Sequence, residues 1–202
     1  MSTRAEQRRP GRPRSEKART AILEAAADLL LVRPFREVSM DELAERAGVS
    51  KATIYRWWPK KESLALDALF REWEVEQSLP DTSSLRGDLL AVLRPWVRRL
   101  RTRPYGRVIA ALLTEVHADP DFAEEYRTRF VHGRRERGRA LINRAIERGE
   151  LPRSTDVDLA LDLLYGSLYH RLLHGHAPIS DRFVEKVVDT TLAGLAAEYR
   201  KT

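Results

Sequence analysis

The chain has 202 residues, of which 43% are hydrophobic and 33% are charged, and its formal net charge is +6. This composition is typical of a folded globular protein with one domain or two small ones, and it argues against a disordered chain. The absence of cysteine excludes disulfides and thiolate metal sites and favours a reducing compartment. Because no uncharged run approaches the ~20 residues that cross a bilayer and no apolar signal core opens the chain, we expect a cytoplasmic protein without a membrane partner.

Positive charge is concentrated in the first twenty residues. Seven Arg and Lys residues there face only Glu6 and Glu16, which leaves +5 of the net +6 in this segment. A basic arm ahead of a nearly neutral body is suited to a polyanion, although a solvated tail without a partner is the alternative. We predict a flexible basic arm over residues 1–16.

Three helices are predicted in the next part of the chain. Apolar residues recur every three or four positions in the first helix, which Pro34 ends. Ser39 and Glu42 have the spacing of a capping box that opens the second helix, and Gly48 is suited to the left-handed conformation that ends it. The predicted helices run from about Ala18 to Val32, from Ser39 to Arg46 and, capped by Ser50 and bounded by Pro59, from Lys51 to Trp58.

The rest of the chain also predicts only helices, and strand-type alternation appears nowhere. A fourth helix, from about Lys61 to Gln77, gives way to the turn-rich segment SLPDTSS, which predicts an internal boundary. Apolar faces at residues 89–100 and 108–116 predict two helices. Three more are predicted over about 120–148, 157–174 and 181–199. The fold class is therefore all-α with about nine helices, in which an N-terminal three-helix module precedes a larger helical C-terminal domain.

The third predicted helix has one apolar and one polar, cationic side. At about 100° per residue, Ile54 and Trp58 point inward while Ala52 and Arg56 point outward. A helix that reads the DNA major groove needs such an outer side, on which Arg56 would pair with guanine and Ala52 would touch a thymine methyl. A solvated, charged helix face is the alternative. The capping box, the glycine turn and the inward-pointing side chains of Ile54 and Trp58 favour a helix-turn-helix.

Donors beside this outer face are predicted to bind the DNA backbone, which fixes register rather than sequence. Lys51 would reach a base edge or a phosphate. Lys60 and Lys61 open the next helix, where helix dipole and ammonium both attract a phosphate. The predicted DNA-contacting residues are Lys51, Ala52, Thr53, Tyr55, Arg56, Trp57, Lys60 and Lys61.

Residues 21–70 resemble the DNA-binding domain of the TetR family of bacterial repressors. The resemblance is carried by AILEAAADLL and by VSMDELAERAGVSKATIYRWWPKKESL, with the Gly-Val-Ser-Lys start, the Ile-Tyr core and the Pro-x-Lys-Glu exit that are typical of the family. It implies a helical homodimer with one DNA-reading head per subunit and a C-terminal domain that often binds a small inducer, and it adds Ser50 to the DNA-contacting residues.

Two positions depart from the family pattern. Trp57-Trp58 stands where Tyr-Phe is usual, which leaves an indole N–H in place of a hydroxyl, and Lys60 replaces the usual Ser cap.

The arm contains a second resemblance. RPGRPR, residues 9–14, is similar to the Gly-Arg-Pro core of minor-groove hooks. Arg12 and Arg14 are therefore predicted to enter a narrow, A·T-rich minor groove while the reading helix occupies the major groove.

The predicted helix 157–174 is apolar around most of its circumference and must be covered on nearly all sides. Together with two apolar ridges of the last helix, it is suited to pack with one face inside its own subunit and with another face against a second copy. A buried central helix in a monomer is the alternative. Gly166 and Gly194 would allow close approach of the backbones. The predicted dimer-interface residues are Leu161, Leu164, Leu168, Leu172, Val184, Val188, Thr191 and Leu195.

Aromatic residues with polar groups nearby predict an effector pocket in the C-terminal domain, although most such residues are expected to be core. The candidates are Trp96, Tyr105, His117, Phe122, Tyr126, Phe130, Tyr165 and Tyr169. His170 and His174 have metal-compatible spacing and His176 is close, but no carboxylate or thiol completes the set within that segment, so neither a metal nor a cofactor is predicted.

The predicted function is a homodimeric, sequence-specific DNA-binding transcriptional regulator, a repressor of a palindromic operator that a small molecule releases. A weakly sequence-specific architectural DNA-binding protein without an effector is the alternative. An enzyme is not predicted, because the sequence contains no glycine-rich phosphate loop, nucleophile elbow or His-Glu-x-x-His motif. The predicted domains are the arm 1–16, the helix-turn-helix domain 17–63 and the effector-binding and dimerisation domain 64–202.

Overall fold

A computed structural model of the chain describes residues 12–71 and 78–198, and within these ranges every regular element is helical. The predicted all-α fold class is therefore confirmed. None of the described helices is long and apolar enough to span a membrane. The nine helices of the described residues are α1 (Arg12–Val32), α2 (Met40–Ala47), α3 (Lys51–Tyr55), α4 (Lys61–Arg71), α5 (Leu85–Arg101), α6 (Arg103–Ala118), α7 (Pro120–Tyr126, then a π-helical segment Arg127–His132, then Gly133–Glu147), α8 (Val157–His174) and α9 (Asp181–Glu198), with a 3-10 helix Phe35–Glu37 between α1 and α2.

The chain divides into two compact units, residues 1–68 and 69–202. The division falls within α4, a few residues after the predicted domain boundary at 63/64 and not at the turn-rich segment SLPDTSS. Helix α1 begins at Arg12, so residues 12–16 are helical and not part of a flexible arm, which corrects the prediction. Pro13 is compatible with this start because residues of the first helical turn need no partner for the backbone N–H. Residues 1–11 lie outside the described part of the chain.

The first unit buries one side of each of its helices. Ile22, Leu43, Ile54 and Leu64 are at most 1% exposed. The predicted caps of α2 are present: Ser39 Oγ accepts a hydrogen bond from the Glu42 N–H, and Gly48 takes the left-handed conformation with φ +65°. Gly48 sets the turn between α2 and α3.

Helix α3 is shorter than predicted. It begins at Lys51 with Ser50 as its cap, as expected, but it ends at Tyr55 and not at Trp58. The cause is a tightened last turn, in which the backbone N–H groups of Trp57 and Trp58 both donate to Ile54 O at 2.9 Å.

The core of the second unit is built by α5, α7, α8 and α9, and it corrects the predicted dimer interface. Residues chosen for contact with a second copy are buried within their own subunit, because the most apolar ridges of α8 and α9 belong to this core. Leu161, Leu164, Leu168, Val184 and Val188 are at most 1% exposed, Thr191 and Leu195 are 6% exposed, and Leu172 packs against the same cluster.

A different stripe of α8 faces outward. Leu159, Leu163 and Leu173 are 44%, 46% and 50% exposed and follow one another at helical spacing with Gly166. A Cβ added at Gly166, or at Gly194 of α9, would meet nothing within 4 Å. Packing within the subunit therefore does not require glycine at either position.

Candidate nucleic-acid interface

Helix α3 presents the predicted outer face. Ile54 is 0% and Trp58 2% exposed, whereas Ala52, Tyr55 and Arg56 are exposed. The inward and outward orientation expected from helical periodicity is confirmed. A small apolar side chain and a guanidinium therefore stand on the open side of a helix whose back is fixed in the core.

The end of α3 is anchored to α4 and α1. Trp58 Nε1 donates to Asp67 Oδ2 at 2.7 Å, and Arg19 Nη2 lies 3.7 Å from the same carboxylate oxygen. The Arg19 guanidinium also lies 5.9 Å from the Trp57 ring centroid and 5.8 Å from that of Trp58, within the range of cation–π contact. Sequence reasoning did not find Arg19 or Asp67, because partners on separate helices leave no local signal.

The start of α3 carries two adjacent hydroxyls. Ser50 Oγ accepts from the Thr53 N–H at 3.2 Å and lies 3.0 Å from Thr53 Oγ1. The cap therefore fixes both side chains, and both remain suited to bind a phosphate oxygen.

Lys51 is held by an acidic neighbour. Its Nζ lies 2.8 Å from Asp41 Oδ1, and the two side chains are 50% and 75% exposed. The hydrogen bond to Asp41 and the charge of that carboxylate raise the pKa of Lys51, so the lysine is charged at neutral pH. Its charge is partly neutralised in the free protein.

The role predicted for Lys61 needs correction. Its ammonium donates to Phe35 O at 3.0 Å and Val38 O at 2.9 Å and lies 4.4 Å from the Phe35 ring centroid. Two of its three donors therefore tie α4 to the segment that precedes α2. We assign Lys61 to the support of this segment and leave the phosphate contact to Lys60, which is half-buried at the start of α4.

Replacing Lys61 with methionine tests this assignment. The change keeps most of the stem but leaves two carbonyls without their charged donor, which we expect to lower the free energy of unfolding by about 1–3 kcal/mol. The salt dependence of DNA binding should not change. Urea denaturation beside Lys17→Met, at an exposed position of α1, provides the measurement. A stable Lys61→Met protein with a flatter salt dependence would instead support the phosphate contact.

The predicted indole contact of Trp57 is also wrong for this conformation. Trp57 Nε1 is buried and has no hydrogen-bond partner, so this N–H does not face a DNA backbone. The ring lies beside Arg19 instead. The side chains of Arg12 and Arg14 lie outside what the structure describes, and their minor-groove role stays a prediction.

In the second unit the predicted pocket residues are partly brought together. Trp96 contacts both Tyr165 and Tyr169 edge to face, with ring centroids 5.7 Å apart in each pair. Phe130 joins them through the guanidinium of Arg134, which lies 4.0 Å from the Phe130 ring centroid and 4.3 Å from that of Trp96. Phe122 and Tyr126 extend this group along α7. Tyr105 is half-buried at the start of α6 and His117 is exposed at its end.

Three histidines cluster where α8 ends. The His170 ring centroid lies 4.6 Å from that of His174 and 5.0 Å from that of His176, and all three are exposed. Across residues 12–71 and 78–198, no group of three or more His, Cys, Asp or Glu residues has the geometry to hold a metal ion.

Two capped helices joined by a glycine turn, with a buried back and a polar, cationic front, define a helix-turn-helix DNA-binding protein. Comparison with known proteins specifies the family. Residues 22–68 match the model of bacterial regulatory proteins of the tetR family, and residues 79–191 match that of the tetracyclin repressor-like C-terminal domain.

Individual relatives agree over nearly the whole chain. The HTH-type transcriptional regulator YdeS of Bacillus subtilis is 39% identical over 191 residues, which are 95% of this chain and 96% of YdeS. The DNA-binding transcriptional repressor TetR of Mycobacteroides abscessus is 31% identical over 89% of this chain and 94% of its own. The crystal structure of the TetR family transcription regulator SCO0332 matches with a TM-score of 0.75 and 36% identity, over 88% of this chain and 98% of that one.

The chain belongs to the TetR family and is a DNA-binding transcriptional regulator. The resemblance stated from the sequence is confirmed. The names of the family and of these relatives are those of transcriptional regulators and not of enzymes.

Proposed function

We propose that the protein is a homodimeric repressor that binds a palindromic operator and is released by a small-molecule effector. The orientation of α3 carries this proposal, because Ala52 and Arg56 are exposed while Ile54 and Trp58 hold the helix from behind. Arg56 is suited to bind guanine, and Ser50, Thr53 and Lys60 to bind phosphates. A relative named as a repressor supports repression over activation.

The dimer in this proposal forms through the outward stripe of α8 and the exposed end of α9. Leu159, Leu163 and Leu173 supply apolar surface, and Gly166 and Gly194 allow close approach of two backbones. The stripe is apolar and exposed, and packing within the subunit does not require these glycines. Such a face is suited to contact with a second copy related by two-fold symmetry. This face replaces the buried ridges that the sequence suggested.

Release by an effector requires two states of the dimer. Its heads bind an operator when their spacing matches successive major grooves, ~34 Å apart. A ligand with higher affinity for a different spacing shifts the population away from DNA, and its differential affinity sets the size of the effect. The aromatic residues around Arg134 are the site that we propose for it.

A competition experiment separates the repressor from an architectural DNA-binding protein. DNA selected from a random pool should contain an inverted repeat, and the selected duplex should compete for the full-length protein at least about 1,000-fold better than random duplex at physiological salt. Equal competition by the two duplexes would favour weakly specific, architectural binding.

The ion pair between Lys51 and Asp41 leads to a prediction about DNA affinity. Asp41→Asn should strengthen operator binding severalfold, because Lys51 no longer has a competing carboxylate. The slope of the logarithm of the binding constant against the logarithm of the salt concentration should become steeper by about one. Glu45→Gln removes another exposed carboxylate from α2 and serves as the control. Equal gains from both substitutions would mean that only net charge matters and that the Lys51 contact is not special.

A further inference from the structure

The cluster around Arg134 has more hydrogen-bond donors than acceptors. Trp96 Nε1 and Arg137 Nε are buried and have no hydrogen-bond partner in the described part of the chain, and the buried Tyr126 hydroxyl has the Tyr169 hydroxyl as its neighbour. An indole or guanidinium nitrogen can only donate, and a phenol can donate. Buried polar groups are nearly always paired in folded proteins, so these donors indicate a ligand that supplies acceptors.

Arg134 lies at the centre of this region. Its guanidinium is 4.0 Å from the Phe130 ring centroid, 4.3 Å from that of Trp96 and 5.6 Å from that of Tyr165. Its Nη1 donates to the Tyr169 hydroxyl at 2.8 Å. Because the Tyr169 oxygen accepts this bond, the neighbouring phenols of Tyr126 and Tyr169 use one O–H proton between them, and the other is available to a further acceptor.

The phenol of Tyr126 is a stable donor. The residue is 3% exposed, and burial raises the pKa of its hydroxyl well above the ordinary value. It therefore remains protonated at physiological pH. Its ring centroid lies 5.0 Å from that of Phe130, which places it against the aromatic wall beside Arg134.

The local backbone also departs from regular helix. Phe130 belongs to the π-helical segment Arg127–His132 of α7, which separates Tyr126 from Arg134. Such segments are frequent at functional sites. The positive charges of Arg134, Arg137 and Arg135 all act on the phenol of Tyr165, where they oppose the rise of its pKa that burial causes. Arg135 is itself paired with Asp158 and Asp162, so Arg134 and Arg137 supply the positive charge beside these donors.

We propose that the effector of this regulator is a planar aromatic acid, whose carboxylate or phenolate oxygen is bound by Arg134 and the buried donors while its ring stacks among Trp96, Phe130 and Tyr165. The donors require a hydrogen-bond acceptor on the ligand, and the guanidinium favours a negative charge on that acceptor. The surrounding aromatic rings favour an aromatic group in the rest of the ligand. This inference rests on the proposed release by a small molecule. Arg134, which the sequence did not single out, is the residue that selects the ligand.

Matched triples of planar fragments test the ligand class. Benzene, naphthalene and indole rings are each offered as a carboxylate, a primary amide and an aminomethyl cation, and binding to the full-length protein is measured by titration calorimetry. At least one carboxylate should bind about tenfold or more tightly than the amide and cation of the same ring, because the charge-assisted bonds are lost in those compounds. A preference for amides or cations, or no binding by any triple, would overturn the proposal.

Variants test the residues. Arg134→Met should reduce carboxylate affinity about tenfold or more while leaving weak amide binding unchanged. Tyr126→Phe and Trp96→Phe each remove one donor and should cost severalfold, which keeps the test informative if Arg134→Met does not fold. Arg153→Met, exposed in the loop after α7, is the control. Carboxylate affinity that is unchanged in all three cluster variants would contradict the site.

Operator release is measured separately from ligand binding. If a carboxylate binds through Arg134 but the protein stays on its selected DNA, the ligand class stands and effector release fails. If a compound releases the DNA equally well from wild type and Arg134→Met, effector release stands and the Arg134 site fails.

Discussion

Replacing Asp88 with alanine is expected to lower the free energy of unfolding by about 2–4 kcal/mol. Asp88 is fully buried and accepts hydrogen bonds from the Thr82 N–H at 2.7 Å and the Thr82 hydroxyl at 2.9 Å. Nη2 atoms of Arg144 and Arg148 both lie 3.3 Å away. Removing the carboxylate leaves the Thr82 N–H without its acceptor at the point where α5 meets the end of α7. It also takes a buried partner from Arg144 and Arg148, which keep Pro80 O and Glu150 respectively. Urea denaturation followed by circular dichroism measures the loss.

The same carboxylate gives this loss a defined pH dependence. Burial alone raises the pKa of Asp88, but the hydrogen bonds from Thr82 and Arg148 and the charge of Arg144 outweigh it, so the folded pKa is lowered. The stabilisation is therefore complete above the unfolded pKa of ~3.9 and is lost as pH falls through the lower folded value. The difference between wild type and Asp88→Ala should be constant near neutrality and shrink in acid.

Asp189→Ala is the matched control. Asp189 pairs with Arg86 at 2.6 Å, but both side chains are about half exposed, and exposed ion pairs contribute little to stability. Equal losses in the two variants, or a difference that grows in acid, would contradict the role assigned to Asp88.

Leu163→Arg is expected to convert the protein to a monomer and to weaken operator binding about 100-fold or more. Leu163 is 46% exposed in the middle of the outward stripe of α8, where a charge would be desolvated against the second copy. Because two linked heads bind far more tightly than one, loss of the dimer removes most of the affinity. Light scattering at micromolar protein concentration measures the mass, and a fluorescence titration with operator DNA measures the affinity.

Leu79→Arg, which changes another exposed leucine of the second unit, should leave both mass and affinity unchanged. A wild-type protein that is already a monomer, or a Leu163→Arg variant that stays dimeric, would show that this stripe is not the interface.

Local chemistry made the helix-turn-helix predictable. The caps formed by Ser39 and Ser50 and the left-handed Gly48 depend on neighbouring residues only, and the structure has all three. Periodicity also gave the inner and outer faces of α3. The end of α3 was not predictable, because two backbone donors share the carbonyl of Ile54 and no side chain signals this.

Long-range packing explains the errors. Helix α8 is apolar on most sides, so its sequence could not show which side meets α5 and α7 and which side is exposed. Lys61 binds carbonyls 23 and 26 residues away, and Arg134 binds a hydroxyl 35 residues away. Such partners are set by tertiary packing, which leaves no periodic or motif signal in the sequence.

Selection from a random DNA pool with wild type, Arg56→Ala and Lys60→Ala tests most directly whether the outer face of α3 reads bases. The wild type should select an inverted repeat. Arg56→Ala should lose preference at one base pair of each half-site, at a cost of about 1–3 kcal/mol, while Lys60→Ala should weaken all sequences alike. If both variants lose affinity uniformly and keep the wild-type preference at every position, Arg56 does not contact a base and this account of the reading head is wrong.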